Sequence, residues 1–345
     1  MEKIVVVTRR TRLEELVDRF NTLPQARFYI EHMGLDFSDY EKEHEVFITA
    51  ARKVLRDLDH VGRKVQRIDW TFLPNFLFDP ADVVVVLGRD GLVSNTAKYL
   101  NGQKIIGVNP DPARIDGILL PFTPEQAAHE TARVIEGRAT WRPITLAEVS
   151  LNDGQRLLAF NDFYIGQRTH ISSRYTLTRG KQREKQSSSG VIVSTGAGST
   201  GWLSSTQNMA QAVSRMVLGS SAPELPVMRL SWEDPRLAFV VREPFRSRSS
   251  EVKLTAGLID PGDELGLESL MPEGGVIFSD GVEADALSFN SGSVARIRAS
   301  DRRACLVMDP ATVEKAPSNG PTWQSTAPSE PGHDTSDGNA SQMAR

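Results

Sequence analysis

The sequence predicts an α/β N-terminal domain built on a parallel sheet, followed by a β-rich domain, and three observations carry that expectation. Residues 83–86 are a continuous β-branched run, the pattern of a strand covered on both faces in a parallel sheet. They open a compact βαβ pattern that closes with a second apolar run at residues 105–108. From residue 143 onward the texture changes to short apolar runs separated by turn residues, with few helical stripes, as in a mostly antiparallel sheet.

Taken in order, residues 4–7 read as a buried strand, and Leu13, Leu16, Val17 and Phe20 then recur at the spacing of one helix face. The longest helical pattern spans residues 41–60, with Val46, Phe47, Ala50, Val54, Leu55 and Leu58 on one side and Gly62 as its stop. Another strand is expected at 64–68, followed by a Pro-containing connection whose Trp70, Phe72, Phe76 and Phe78 read as core or interface. After residues 83–86, Leu92, Val93, Thr96, Ala97 and Leu100 form a helical stripe ending near Gly102. The β-rich part places strands at 144–151, 157–165, 174–178, 190–194, 237–241, 251–255, 276–278 and 294–298, with one helix at 203–217. The expected division is 1–142 for the α/β domain, 143–290 for the β-rich domain and 291–310 for a C-terminal return segment. Residues 311–345, dominated by Ser, Thr, Pro, Gly, Asn and Asp, read as a disordered tail.

Composition narrows the function classes. A chain of 345 residues holds about two domains at roughly 150 residues each and needs no disulfide or metal staple. Forty Lys and Arg against 44 Asp and Glu leave a net charge of −4, which offers no global field for nucleic acid or an anionic membrane. Cys305 is the single cysteine, so disulfides within the chain and cysteine-built metal sites are excluded, and a reducing cytoplasm is expected. The apolar run after Met1 is too short for a signal-peptide core, and no run of about 18 apolar residues suggests a membrane span.

Four segments carry candidate chemistry. Gly88-Arg89-Asp90-Gly91 falls where a parallel strand hands over to a helix N-terminus, a place suited to phosphate. A carboxylate is out of place beside phosphate unless it takes a proton or helps hold Mg²⁺, and Asp90 is open to either role. The turn is neither a Walker A loop nor the dinucleotide fingerprint. The segment 190–201, with Thr195, Gly198, Ser199 and Thr200, leads from an apolar strand into small and hydroxyl residues ahead of Trp202, a composition suited to a phosphate or ribose cradle. Asn161-Asp162 sets an amide beside a carboxylate at a strand or turn, where adjacent side chains point to opposite faces. The basic runs Arg179, Lys181, Arg183, Lys185 and Arg242, Arg246, Arg248 read as solvated loops or as an anion-steering rim; five of the six histidines, His32, His44, His60, His129 and His333, are scattered without metal-ligand spacing, and His170 stands apart only by where it falls.

In this order the pieces resemble the NAD kinase family, relatives of the diacylglycerol and sphingosine kinases. The family's GGDG turn, its Asn-Glu or Asn-Asp pair, its segment resembling STPTGSTAYS and its later DG turn have counterparts in Gly88-Arg89-Asp90-Gly91, Asn161-Asp162, residues 189–202 and Asp280-Gly281. The resemblance implies an N-terminal α/β domain and a C-terminal β-sandwich domain with NAD and ATP bound between them. It implies transfer of the ATP γ-phosphoryl group to the adenosine 2′-hydroxyl of NAD, with Asp90 as general base and Mg²⁺ or another divalent cation assisting. Gly88, Arg89, Gly91, Asn161, Asp162, His170, Thr195, Gly198, Ser199, Thr200, Trp202 and Asp280 would bind substrate, and no protein-held metal site is implied. A homo-oligomer, dimer or tetramer, is also implied. Departures are specific: Arg89 stands for a glycine, Leu92 for a threonine, Ser189 for an aspartate, Ser187 for an arginine, Gly196-Ala197 for Pro-Thr, Gly201-Trp202 for Ala-Tyr and Val282 for a glutamine. They leave two alternatives: a kinase of another hydroxyl substrate, lipid or sugar, and a non-catalytic nucleotide-binding regulatory protein.

Overall fold

The computed structural model describes residues 2–310, so the tail expected at 311–345 lies outside the described residues. In chain order the elements are β1 (Lys3–Thr8), α1 (Arg12–Phe20), α2 (Leu23–His32), α3 (Phe37–Leu58), β2 (Lys64–Asp69), β3 (Val83–Leu87), α4 (Asp90–Ala97), β4 (Lys104–Val108) and α5 (Ala127–Ile135). They continue with β5 (Trp141–Leu151), β6 (Arg156–Ala159), β7 (Asp162–Gln167), β8 (Ser173–Arg179), β9 (Gln182–Ser188), β10 (Val191–Ser194), α6 (Trp202–Leu218), β11 (Leu237–Val241), β12 (Ala256–Ile259), β13 (Leu265–Ser269), β14 (Gly275–Ser279), β15 (Val282–Ser288) and β16 (Val294–Val307).

Strands β2-β1-β3-β4 pair in parallel in that order. Their apolar runs are covered on both faces by the period of two: Val5, Val7, Val84 and Val86 pack under α4, while Ile4, Val6, Val83 and Val85 pack under α3. The α3 stripe reaches this core through Phe47, Ala50, Val54 and Leu58, whereas Val46 is exposed. Helix α1, α2 and the start of α3 enclose a small core of their own around Leu13, Ala26, Ile30 and Phe37.

Strands β5 and β16 pair antiparallel from Trp141↔Val307 to Leu151↔Ala295, and β16 also runs parallel to β4 at Cys305 and Leu306. The parallel sheet thus continues, through β16, β13, β8 and β9, into one face of a sandwich. The opposing sheet, β12-β11-β10-β7-β14-β15, is antiparallel. Tyr175, Leu177, Leu267 and Ile297 from the first sheet meet Phe163, Ile165, Val193 and Phe239 from the second in one buried core. No linker marks residue 142, because β5 runs through it.

The structure corrects several expected elements. The strand expected at 157–165 is two strands, because the Asp280 carboxylate takes the N–H groups of Phe160 and Asn161 at 2.9 and 2.6 Å and breaks the ladder there. The basic run at 179–185 is the β8–β9 hairpin rather than a loop. Its β9 strand escapes the apolar pattern because its inward residues are Glu184 and Gln186, with Glu184 accepting the N–H groups of Lys253 and Leu254. No strand forms at 251–255, and the paired residues are those of β12. Helices α2 and α5, and strands β13 and β15, were not expected; α2 buries only Ala26 and Ile30, too few to show a stripe.

Candidate functional site

The sequence Gly88-Arg89-Asp90-Gly91 spans the carboxyl end of β3 and the first turn of α4, with Arg89 as the N-cap residue. It opens into a cavity of about 960 Å³ at the carboxyl ends of the parallel strands, where open α/β sheets bind ligands. Gly88, Arg89 and Gly91 line it. A Cβ at Gly91 would meet no atom within 4 Å, so the backbone there is open to close approach by a ligand.

Asp90 is directed elsewhere. Its Oδ1 accepts the Leu119 N–H at 2.6 Å, its side chain does not line the cavity, and its other oxygen accepts no hydrogen bond among the described residues.

The loop after β1 is the site's main addition to the expected residues. Arg9, Arg10, Thr11 and Arg12 line the cavity with Asp39 and Glu43 of α3, Trp70, Asn95, Asp111 and Arg114. Thr11 caps α1 reciprocally with Glu14, which fixes the direction in which Arg12 leaves the backbone. The Arg9 guanidinium lies 5.2 Å from the Trp70 ring centre. Partial burial opposes the Arg12 charge, and hydrogen bonds to Glu43 and Asp39 more than offset it, raising its pKa. A sequence signal for these residues existed: Arg-Arg-Thr-Arg follows the first strand of a parallel sheet, at the same edge as the Gly88 turn.

Asp280-Gly281 forms the two-residue hairpin between β14 and β15, with both residues at positive φ, 54° and 71°. Asp280 is partly buried, and burial raises its pKa while the Phe160 and Asn161 N–H groups and Lys98 oppose the rise. Burial, with the Asp280 charge beside it, raises Asp162 to about 7. Behind them Lys98, the C-cap residue of α4, is buried between Ser279 Oγ at 2.8 Å and Asp285 Oδ2 at 2.9 Å, and Tyr99 donates to the same Asp285 oxygen at 2.6 Å. Asn161, Asp162 and Asp280 therefore form a turn-and-strand junction joined to α4, rather than the wall of the cavity.

A second cleft of about 340 Å³ lies on the outer face of the six-stranded sheet. Phe163 and Ile165 of β7 point into the core, so Tyr164 points out, paired with Phe278 of β14 at a ring separation of 5.0 Å. Trp202 completes an aromatic surface, 6.0 Å from Tyr164 and 6.3 Å from Phe278. His170, Arg168 and Arg242 line the same cleft, and Glu283 lines both clefts.

In the glycine-rich segment two of the hydroxyls are hydrogen-bonded to nearby backbone. Thr195 donates to the Phe160 carbonyl at 2.6 Å, and Ser199 donates to the Gly196 carbonyl at 2.7 Å. A Cβ at Gly198 would sit 2.2 Å from the Asn161 carbonyl oxygen. Thr195, Gly198 and Ser199 are buried and Thr200 is exposed, and none of the four lines either cleft.

Among the described residues no group of three or more His, Cys, Asp or Glu side chains is placed to hold a metal ion. No described helix is long and apolar enough to cross a membrane.

No family model matches the chain. It is 24% identical over 316 aligned residues to the mitochondrial NAD kinase 2 of Homo sapiens, covering 71% of each chain. It is 26% identical over 184 residues to an NAD kinase of Cellvibrio japonicus, covering 50% of this chain and 56% of that one. Among solved structures, an NAD kinase from Archaeoglobus fulgidus in complex with ATP superposes with a TM-score of 0.50 at 16% identity, covering 91% of this chain and 96% of that one. Yeast NADH kinase complexed with NADH gives the same TM-score at 14% identity, covering 89% and 84%. These likenesses establish the two-domain fold.

Proposed function

We propose that the chain is a divergent member of the NAD kinase family, a reading its likeness to NAD kinases supports, and that it transfers the γ-phosphoryl group of ATP to the adenosine 2′-hydroxyl of NAD. The observation that carries the reading is the pair of adjoining clefts, one arginine-rich at the Gly88 turn and one aromatic, sharing Glu283. Such a pair suits a polyphosphate donor and a dinucleotide acceptor held side by side. Phosphoryl transfer asks mainly for positioning and charge neutralisation, and the arginines of the cavity supply the second.

In this reading the Leu119 N–H holds one oxygen of Asp90, and the other takes the proton of the attacking hydroxyl. The described residues do not form a cage for Mg²⁺, so a divalent cation enters on the phosphates of ATP as part of the substrate, and no step is assigned to a protein-held ion. Trp202, Tyr164 and Phe278 offer flat surface to a base or nicotinamide ring. The reading also carries a cytoplasmic location and a homo-oligomer, the latter measurable by sedimentation.

The test is NADP formation by the purified full chain with ATP and NAD. Asp90→Asn should keep the fold and nucleotide binding and lower kcat by about 100-fold or more. Unchanged turnover removes Asp90 from the mechanism. One observation favours a second reading, a nucleotide-binding protein without turnover: Asp90 is directed at Leu119 rather than into the cavity. Saturable nucleotide binding with no phosphoryl transfer would establish it.

A further inference from the structure

We propose that Arg12, Arg89 and Arg114 form a triphosphate-binding subsite, and that Asp39 and Glu43 of α3 hold its anion positions until a polyphosphate displaces them. This rests on the kinase reading of the cavity and adds to it a ligand group, three residues and a resident competitor.

The sheet order supplies the first argument. β1, β3 and β4 are neighbours, and each is followed by one of the three arginines: Arg12 after β1, Arg89 after β3, Arg114 after β4. All three line the same cavity. Residues more than 100 positions apart therefore meet only because three parallel strands deliver their carboxyl ends to one edge.

The ion pairs supply the second. Asp39 bridges Arg114 and Arg12, with both contacts at 3.1 Å. Glu43 bridges Arg12 and Arg89, the latter at 3.6 Å. The result is an alternating ladder, Arg114, Asp39, Arg12, Glu43, Arg89, in which two carboxylates from one helix stitch together the segments that follow three strands. A guanidinium fork accepts carboxylate and phosphate oxygens in the same planar geometry. Consecutive phosphates of a chain present anionic oxygens in series, as the two carboxylates do here. The displaced carboxylates keep access to water, Asp39 being half-exposed and Glu43 partly exposed, so the exchange leaves no fully buried charge unpaired.

The third argument is the floor of the ladder. Gly91 leaves the first turn of α4 uncovered, so a phosphate bridging Arg12 and Arg89 has backbone N–H groups at that turn within the same cavity. Because Glu43 competes for two of the three arginines, it sets the affinity as much as they do.

The experiment is calorimetric titration of the full chain with inorganic tripolyphosphate and, separately, with ATP. Arg12→Gln and Arg114→Gln should each weaken tripolyphosphate binding by about tenfold and flatten its salt dependence, as loss of a phosphate contact does. Glu43→Gln should tighten it by about fivefold. Where Glu43→Gln lowers the melting temperature markedly, Asp39→Asn gives the same readout from the other bridge. Binding that is unchanged in both arginine variants, or weakened in a folded Glu43→Gln or Asp39→Asn variant, overturns the proposal. ATP binding more tightly than tripolyphosphate assigns the subsite to a nucleotide, and the reverse order assigns it to inorganic polyphosphate. If the titrations behave as expected and no NADP forms, the kinase reading fails and the subsite stands; NADP formation with insensitive variants has the opposite meaning.

Discussion

Asp162→Asn should make the protein more stable at alkaline pH and change it little at acid pH. Asp162 is held near 7 in the fold against an ordinary 3.8, because it is buried and faces the charge of Asp280. The sign follows from linkage: the folded state binds the proton more tightly than the unfolded chain, so wild-type stability is complete below about pH 3.8. It is lost as pH rises toward 7 and is level above that. About three pH units at 1.36 kcal/mol each give a cost of about 4 kcal/mol at pH 8, of which less than half is already present at pH 5. The neutral amide carries no such cost. Urea unfolding at pH 5 and pH 8 should therefore show the variant gaining about 2 to 3 kcal/mol on wild type between the two conditions, at similar m-values. A stability difference independent of pH would refute the reasoning, since it would mean that Asp162 is ionised in the fold at both values.

The two glycine-rich motifs should respond oppositely to one methyl group. Gly198→Ala meets the Asn161 carbonyl oxygen at 2.2 Å and should lower stability by about 3 kcal/mol or prevent folding, read by thermal denaturation. Gly91→Ala meets nothing in the protein and should keep the wild-type melting temperature while weakening nucleotide binding. Lys98→Met leaves Asp285 buried without its cation and should cost about 3 to 5 kcal/mol in urea unfolding. The double variant Lys98→Met, Asp285→Leu should recover most of that loss, and a double variant as unstable as the single one would show that the ion pair is not the cause.

What the sequence determined by itself is the set of features written in local windows. The unbroken valines of β3 and the stripe of α3 depend on periods of two and 3.6 residues, and the Asp280-Gly281 hairpin on a dipeptide suited to positive φ. The four segments in order were also enough to raise the family resemblance, and with it the sandwich. β9 and α2 escaped because their inward positions are polar or few. Only the tertiary structure decided what the candidate residues face. Thr195 and Ser199 read as a cradle by composition, yet their hydroxyls are used by carbonyls of neighbouring chain. Asp90 sits at the expected turn and holds the loop at Leu119. The arginine ladder joins the segments that follow β1, β3 and β4 to carboxylates of α3. No local window contains such a set, because strand order and close packing bring together residues whose separation along the chain carries no signal.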